Sequence, residues 1–324
     1  MRYVEALRQA LDDSMTEFEN MLILGQGVWS PFYVGTSLEG LEAKFGRSRI
    51  IDTPVSENCV TGMALGAAIS GSPTVVIHPR MDFMILAMDP IVNSAAKWRY
   101  SLNFKTPIPL TIRTIINRGG EQGAQHSQAL HSWFAHIPGL RVVMPSSAKD
   151  AYQLLKQSIS CPDPVVFIED RWSYELEENF EINTKLPSLA KEGPNLVGIG
   201  KDLTVVGIGH TTNLAKTVSL ELAKNNITFD LIDLRVLQPL NIDVLKESVR
   251  KTGKLLVIDG GWRNSGISAE IISSFCEVGM DLLTKPPARL TLPESPAPTS
   301  FKLEQEYYFT VRNISQRIME IAQS

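Results

Sequence analysis

Short apolar runs alternate along this chain with longer stretches in which apolar positions recur every three or four residues. That rhythm predicts buried strands separated by amphipathic helices. Strands are expected at Met21 to Gly25, Ile50 to Asp52, Thr74 to His78, Pro109 to Ile115, Arg141 to Met144 and Val165 to Ile168, and again at Leu203 to Ile208, Thr228 to Ile232, Lys254 to Ile258 and Arg289 to Leu292. Helical spacing covers Val4 to Glu19, Thr61 to Ile69, Met84 to Tyr100, Ala148 to Ile159, Asn213 to Lys224, Ile242 to Lys251, Ile267 to Glu277 and Thr310 to Ala322. The alternation points to an α/β fold with mainly parallel sheets. Ser146 or Ser147, with Asp150 behind it, is placed to cap the Ala148 helix. Pro286-Pro287 and the prolines from Pro293 to Pro298 forbid regular structure before the last helix.

Between the two strand series, Glu175 to Gly200 is acidic at first, carries Pro187 and Pro194, and has no clear period. It reads as a connection between two domains, 1–185 and 186–324, and 324 residues suffice for two. The composition, 44% hydrophobic and 20% charged, excludes disorder. Lys and Arg number 31 against 35 Asp and Glu, so the net charge of -4 lacks the basic footprint of a nucleic-acid binder. Cys59, Cys161 and Cys276 have neither disulfide-framework nor zinc spacing. The N-terminal residues are amphipathic from Val4 onward, without the apolar core of a signal peptide, and no apolar run approaches a membrane span. A soluble cytoplasmic protein is expected, with a small molecule or another protein as its partner.

Two segments carry candidate chemistry. Thr53-Pro54-Val55-Ser56-Glu57 leads from a strand into a helix of small residues, which puts Glu57 at a strand-to-helix crossing, where open α/β sheets hold ligands. The plainer alternative is that Ser56 and Glu57 cap that helix and complement its dipole. The Gly62/Gly66 spacing suits close helix packing better than phosphate binding. The second segment, Asn117 to Gln128, follows a strand and is rich in glycine, so it can order over a ligand and bring His126 to it. A surface histidine in a mobile loop is the alternative for His126, and packing in the following helix that for His131 and His136.

Read in order, Arg49 to Glu57, Gly62 to Gly71, Asn93-Ser94-Ala95-Ala96-Lys97, Gly123-Ala124-Gln125-His126-Ser127-Gln128, Pro138 to Val143 and Asp230 to Pro239 form a set that spans nearly the whole chain. This set resembles the beta subunit of the thiamine-diphosphate-dependent, decarboxylating component of 2-oxo acid dehydrogenases, of the pyruvate, branched-chain 2-oxo acid and acetoin type. The resemblance implies an N-terminal pyrimidine-binding domain and a transketolase C-terminal-like domain. It also implies oxidative decarboxylation of a 2-oxo acid, with acyl transfer to a lipoyl group on an acyltransferase. The partner would be a large alpha subunit in a two-plus-two heterotetramer, which holds the diphosphate and Mg2+. The nearest string here to that subunit's Gly-Asp-Gly motif is Ile258-Asp259-Gly260-Gly261, in the second domain, so the chain is expected to be inactive alone.

By the same resemblance Glu57 activates the cofactor by sharing a proton with its aminopyrimidine ring. Phe83 packs on that ring, and Pro79 lines it where methionine is usual. His126 serves acyl transfer, and the backbone around Leu110, Ser158, Ile159, Cys161 and Asp163 holds a monovalent cation, K+. Departures bear on the substrate. Gln26-Gly27 replaces an acidic pair associated with a polar tunnel between paired cofactors. Pro79 to Phe83 replaces a Met-Thr-Phe-Asn-Phe-like string and Arg113 to Arg118 is bulkier than the family's glycine-rich version, so Arg80 and Arg118 motivate an extra negative group on the substrate or acceptor, with a local Arg80–Asp82 ion pair at a helix start as the alternative. Two other readings stay open: a split transketolase or acyloin synthase that forms C–C bonds, and a scaffold that has lost its chemistry. Keeping both Glu57 and His126 argues against the last.

Overall fold

The computed structural model describes residues 1–30, 32–183 and 185–323, and the chain forms two compact units. Met1–Arg118 and Trp133–Glu192 make the first; Gly119–Ser132 and Gly193–Ser324 make the second. The first unit contains β1 (Leu22–Gly25), β2 (Ile50–Asp52), β3 (Thr74–His78), β4 (Leu110–Ile116), β5 (Arg141–Val143) and β6 (Val165–Asp170). They lie in the order β5-β6-β4-β3-β1-β2, every pairing parallel. All residues of β3, β4 and β6 are buried, which is why their sequences read as continuous apolar runs rather than alternations. The helix Tyr3–Glu17 buries Ala6, Leu7, Ala10, Leu11 and Met15, a stripe at helical spacing that packs on the helix Ala148–Ile159. Ser147 caps the latter, its Oγ accepting from the Asp150 N–H at 3.1 Å.

Two of the strings that carry the resemblance meet in one contact. Lys97 donates to the Pro138 carbonyl at 3.1 Å. Gly139, at φ +96°, lies so close to Ala96 that a Cβ would stand 1.9 Å from its carbonyl oxygen. Only glycine tolerates both the left-handed backbone and that approach.

The second unit contains β7 (Asn195–Gly198), β8 (Leu203–Gly207), β9 (Phe229–Asp233), β10 (Val236–Gln238), β11 (Leu255–Trp262) and β12 (Ala288–Leu292). Five form a sheet in the order β12-β11-β8-β9-β7, parallel except for β7 against β9. Val205, Leu231 and Ile258 from the sheet meet Ala215 and Val218 of the helix His210–Leu222 and Ile314 and Ile318 of the last helix in one core.

Several elements depart from the pattern, among them the short strand β10 and the helix Leu41–Phe45, which it does not predict. The helix expected over Met84 to Tyr100 is broken into a short helix Met81–Met84, a 3-10 turn Ile85–Ala87, a wide π turn Asp89–Ala95 and a helix Ala96–Ser101. Pro90 lacks the N–H that a continuous ladder needs there. The edge strand β7 lies in the stretch read as a bare connection; it is four residues long with its two central residues exposed, so it has no alternation to detect. A helix also forms at Phe301–Tyr307, directly after the proline segment that was expected to exclude one. Among the described residues no helix is long and apolar enough to cross a membrane.

Candidate active site

Gly25, the last residue of β1, is in register with Asp52 of β2 and Ile77 of β3, so the C-terminal ends of the three strands are level. The chain leaving β2 enters the helix Glu57–Ile69, four residues earlier than its periodicity indicates. Ser56 precedes it in an extended conformation (φ -161°) and makes no side-chain capping bond, so that half of the capping alternative fails. Glu57 is half-buried in the first turn. Thr61, one turn later and on the same helix face, places its Oγ1 3.0 Å from His78 Nε2 at the end of β3. Burial pushes the His78 imidazole down to about 4, so it is neutral near pH 7. This buried contact fixes the turn carrying Glu57 against the strand that delivers Pro79 and Phe83. Gly62 and Gly66 have open space where a Cβ would stand, so the close packing expected of them is not made among the described residues.

Pro79 follows β3 directly, and its carbonyl accepts from Asn117 Nδ2 at 3.3 Å. Phe83 lies in the short helix Met81–Met84 with Met81 and Met84 fully buried on either side, while Phe83 itself is 38% exposed. The part of the ring that remains exposed lies at the C-terminal edge of a parallel sheet, where such sheets hold ligands. Glu57 and Phe83 thus stand in the same unit, one in the first turn of the helix after β2 and the other in the short helix after β3.

β4 and the residues just after it carry two basic groups, each paired with an acid of β6. Arg113 and Glu169 are both fully buried and pair through two N–H···O bonds, while Arg113 also donates to Ser37 Oγ at 2.7 Å and the Tyr174 hydroxyl donates to Glu169 at 2.6 Å. Burial works against the Arg113 charge, and the carboxylate of Glu169 outweighs it, holding the guanidinium above its ordinary range. Arg118 Nε donates to Asp170 Oδ2 at 2.7 Å, again in the interior. Its charge is therefore matched inside the chain, which weakens the expectation that Arg118 meets a ligand's negative group. Arg80 keeps that role in prospect.

The loop 119–132 belongs to the second unit. Gly119, Gly120 and Gly123 all adopt positive φ, the freedom expected of them, and His126 is half-buried within it. The loop is anchored at both ends. The Glu121 N–H lies 3.2 Å from both carboxylate oxygens of Glu304, and Ser132 Oγ accepts from the Ile267 N–H at 2.9 Å. His131 Nε2 lies 3.0 Å from Asp259 Oδ1, and Asp259 also accepts from the N–H groups of Gly261 and Ser268. His131 is thus more than a packed helix residue, and His136 is exposed beyond the helix His131–Ala135. Sequence reasoning missed the His131–Asp259 pair; its one signal was the Ile258-Asp259-Gly260-Gly261 string, whose acid turns out to serve the loop.

Burial opposes ionisation of Asp259, and His131 with the two backbone donors outweighs it, so the carboxyl sits below the ordinary carboxylate range. A folded-state value below the unfolded one stabilises above about pH 4 and is lost as pH falls through the folded value. Asp259→Asn should therefore flatten the loss of stability below pH 4 in urea titrations. At pH 7 it should also speed proteolytic cleavage within residues 119–130, and an unchanged cleavage rate would show that the pair does not hold the loop.

Leu110, Ser158, Ile159, Cys161 and Asp163 come together around the turn that enters β6. There the Ile108 N–H donates to the Pro162 carbonyl at 2.9 Å and the Cys161 N–H to the Ser158 carbonyl at 3.1 Å. The side chains offer a cation little. Asp163 is already held by Arg99 and by Arg141, the latter at 2.8 Å, and burial pushes the Cys161 thiol up to about 11. K+ at this turn would share it with two guanidinium groups, and no step is assigned to it. Among the described residues no group of three or more His, Cys, Asp or Glu side chains is arranged to hold a metal ion.

Comparisons with known proteins agree with this architecture. The transketolase pyrimidine-binding domain matches residues 1–177 and the transketolase C-terminal domain residues 194–314. The beta subunit of acetoin:2,6-dichlorophenolindophenol oxidoreductase from Bacillus subtilis (strain 168) is 32% identical, over 98% of this chain and 96% of its own. The mitochondrial pyruvate dehydrogenase E1 component subunit beta-2 of Oryza sativa subsp. japonica is 35% identical, over 93% of this chain and 81% of its own. Among solved structures, a split gene transketolase described as an inactive beta4 tetramer superposes with a TM-score of 0.79 at 18% identity, covering 100% of this chain and 98% of that one. At that identity the likeness speaks for the fold alone.

Proposed function

The chain belongs to the transketolase-type family of pyruvate dehydrogenase E1 and acetoin dehydrogenase beta subunits, and on that premise we propose that it is the small subunit of a thiamine-diphosphate-dependent 2-oxo acid dehydrogenase. The observation that carries this reading is the Thr61–His78 contact, which fixes Glu57 on the strand end bearing Pro79 and the exposed ring of Phe83. Bound thiamine diphosphate would supply the electron sink that lets a 2-oxo acid lose CO2. Glu57 would hold the proton shared with the aminopyrimidine nitrogen, Phe83 would support the ring's face, and Pro79 would close the space beside it. His126, on its anchored loop, would move a proton at the substrate oxygen and serve acyl transfer.

The diphosphate–Mg2+ half is assigned to a larger partner chain in a two-plus-two heterotetramer, since the oxygens of Asp259 are already used by His131, Gly261 and Ser268. The acyl acceptor is a lipoyl group on a partner acyltransferase. A cytoplasmic setting accords with three free cysteines. The test is co-expression with the larger chain, followed by CO2 release from short, branched and carboxylated 2-oxo acids, with and without a lipoyl domain. Release that needs both chains, with acylation of the lipoyl domain, is expected. C–C bond formation with an aldehyde and no lipoyl acylation would favour the split transketolase or acyloin synthase instead.

A further inference from the structure

The resemblance implies a monovalent cation at the turn that enters β6, and the charges found there argue against one. Asp163, at that turn, accepts from two guanidinium groups: Arg99, in the helix Ala96–Ser101, and Arg141, the first residue of β5, whose Nε lies 2.8 Å away. The side chains of Arg99, Arg141 and Asp163 are only 19%, 22% and 23% exposed, so water screens the cluster incompletely. Neither arginine meets a second acid among the described residues, and two positive charges therefore face one negative charge.

Hydrogen bonding is unbalanced in the same sense. Arg99 Nη2 donates to the Phe104 carbonyl at 3.3 Å, and Arg99 Nε is a buried donor with no acceptor among the described residues. A K+ site needs the opposite, a cage of oxygens with lone pairs to spare. At this turn the carbonyls of Ser158, Pro162 and Pro164 already accept, from the N–H groups of Cys161, Ile108 and Arg141, at 3.1, 2.9 and 3.0 Å. A cation placed among them would add a third positive charge beside the one carboxylate. The arginines already supply what such an ion would: positive charge that ties the helix Ala96–Ser101, β5 and the turn to one another. Lys97 on Pro138 and Gly139 against Ala96 close the same junction. β6 starts two residues after Asp163 and delivers Glu169 and Asp170 to Arg113 and Arg118, so the clamp sets the strand on which both buried pairs depend.

We propose that Arg99 and Arg141 take the place of the monovalent cation, so that fixed guanidinium charge holds this turn and K+ is not bound there. In the first arm of the test the full chain is melted in KCl, NaCl and tetramethylammonium chloride at one ionic strength. The three melting temperatures should agree within about 1 °C, whereas a K+ site filled at about a hundred times its Kd would raise the KCl value by about 5–10 °C. A rise of that size in KCl alone overturns the proposal. The second arm removes the charges, with Arg99→Gln and Arg141→Gln together. This frees the Asp163 carboxylate, so the variant should melt lower in tetramethylammonium chloride and recover part of the loss in KCl. Arg99→Lys with Arg141→Lys keeps both charges and should stay indifferent to the salt; a gain specific to KCl there overturns the proposal. A Gln pair that gains nothing in KCl also overturns it, since the arginines would then be a structural bridge with no bearing on a cation. If the Gln pair does not fold in tetramethylammonium chloride, its refolding yield in KCl is read instead. Recovery supports the exchange of ion for arginine, and equal failure in all three salts overturns it.

Discussion

Glu57→Gln should lower kcat of the assembled enzyme by about 100- to 10,000-fold, the range lost when a positioned acid–base group is removed, with little change in melting temperature or subunit assembly. Glutamine keeps the length and shape of glutamate, and the Thr61–His78 contact that sets the helix lies a full turn away. What it lacks is a carboxyl that can hold or release a proton. Because Glu57 is half-buried and not part of the core, the loss should fall on turnover rather than folding. Cofactor affinity, followed by the concentration needed for half-maximal activity, should move far less than kcat. Glu57→Asp should retain more activity than Glu57→Gln, since it keeps the carboxyl and loses only reach. A glutamine variant with the wild-type rate would remove Glu57 from the chemistry.

The largest loss of stability should come from Glu169→Ala, at about 3–5 kcal/mol, the cost of leaving a buried charge without its partner. Arg113 is fully buried in the middle of β4, and Glu169 supplies its counter-charge among the described residues; Ser37 contributes only a neutral oxygen. The Tyr174 hydroxyl, which donates to Glu169, would lose its acceptor as well. Replacing both charges, Arg113→Met with Glu169→Leu, should recover most of that stability, because the expense lies in the orphaned charge rather than in the absence of the pair. Urea unfolding of Arg113→Met, Glu169→Leu and the double variant, at one pH, closes the cycle. If Glu169→Ala is as stable as the parent, water reaches Arg113 and the site is less enclosed than its packing indicates.

How much of this was legible in the sequence differs from element to element. The buried strands β3, β4 and β6 were, because a strand covered on both faces leaves an unbroken apolar run. Glu57 was visible as an acid at a strand-to-helix crossing, although periodicity alone started its helix at Thr61. The break at Pro90 went unread because the flanking residues keep helical spacing while the ladder changes its step. The charged pairs were hidden for a different reason. Arg118 looks like a ligand-facing group until Asp170, 52 residues on, is seen to meet it, and no local pattern encodes a partner at that distance. The same holds for His131 and Asp259, separated by 128 residues.

The loop 119–132 is encoded inside the half of the gene that builds the first unit, yet it is fastened to the second. A genetic cut after Glu192 would therefore part His126 from the scaffold that steadies it, and neither fragment would carry a finished version of its own half. Exchanging the C-terminal portion with that of a relative would keep the loop fastened only where the incoming segment brings partners for Glu121, His131 and Ser132, among them an acid to meet the imidazole.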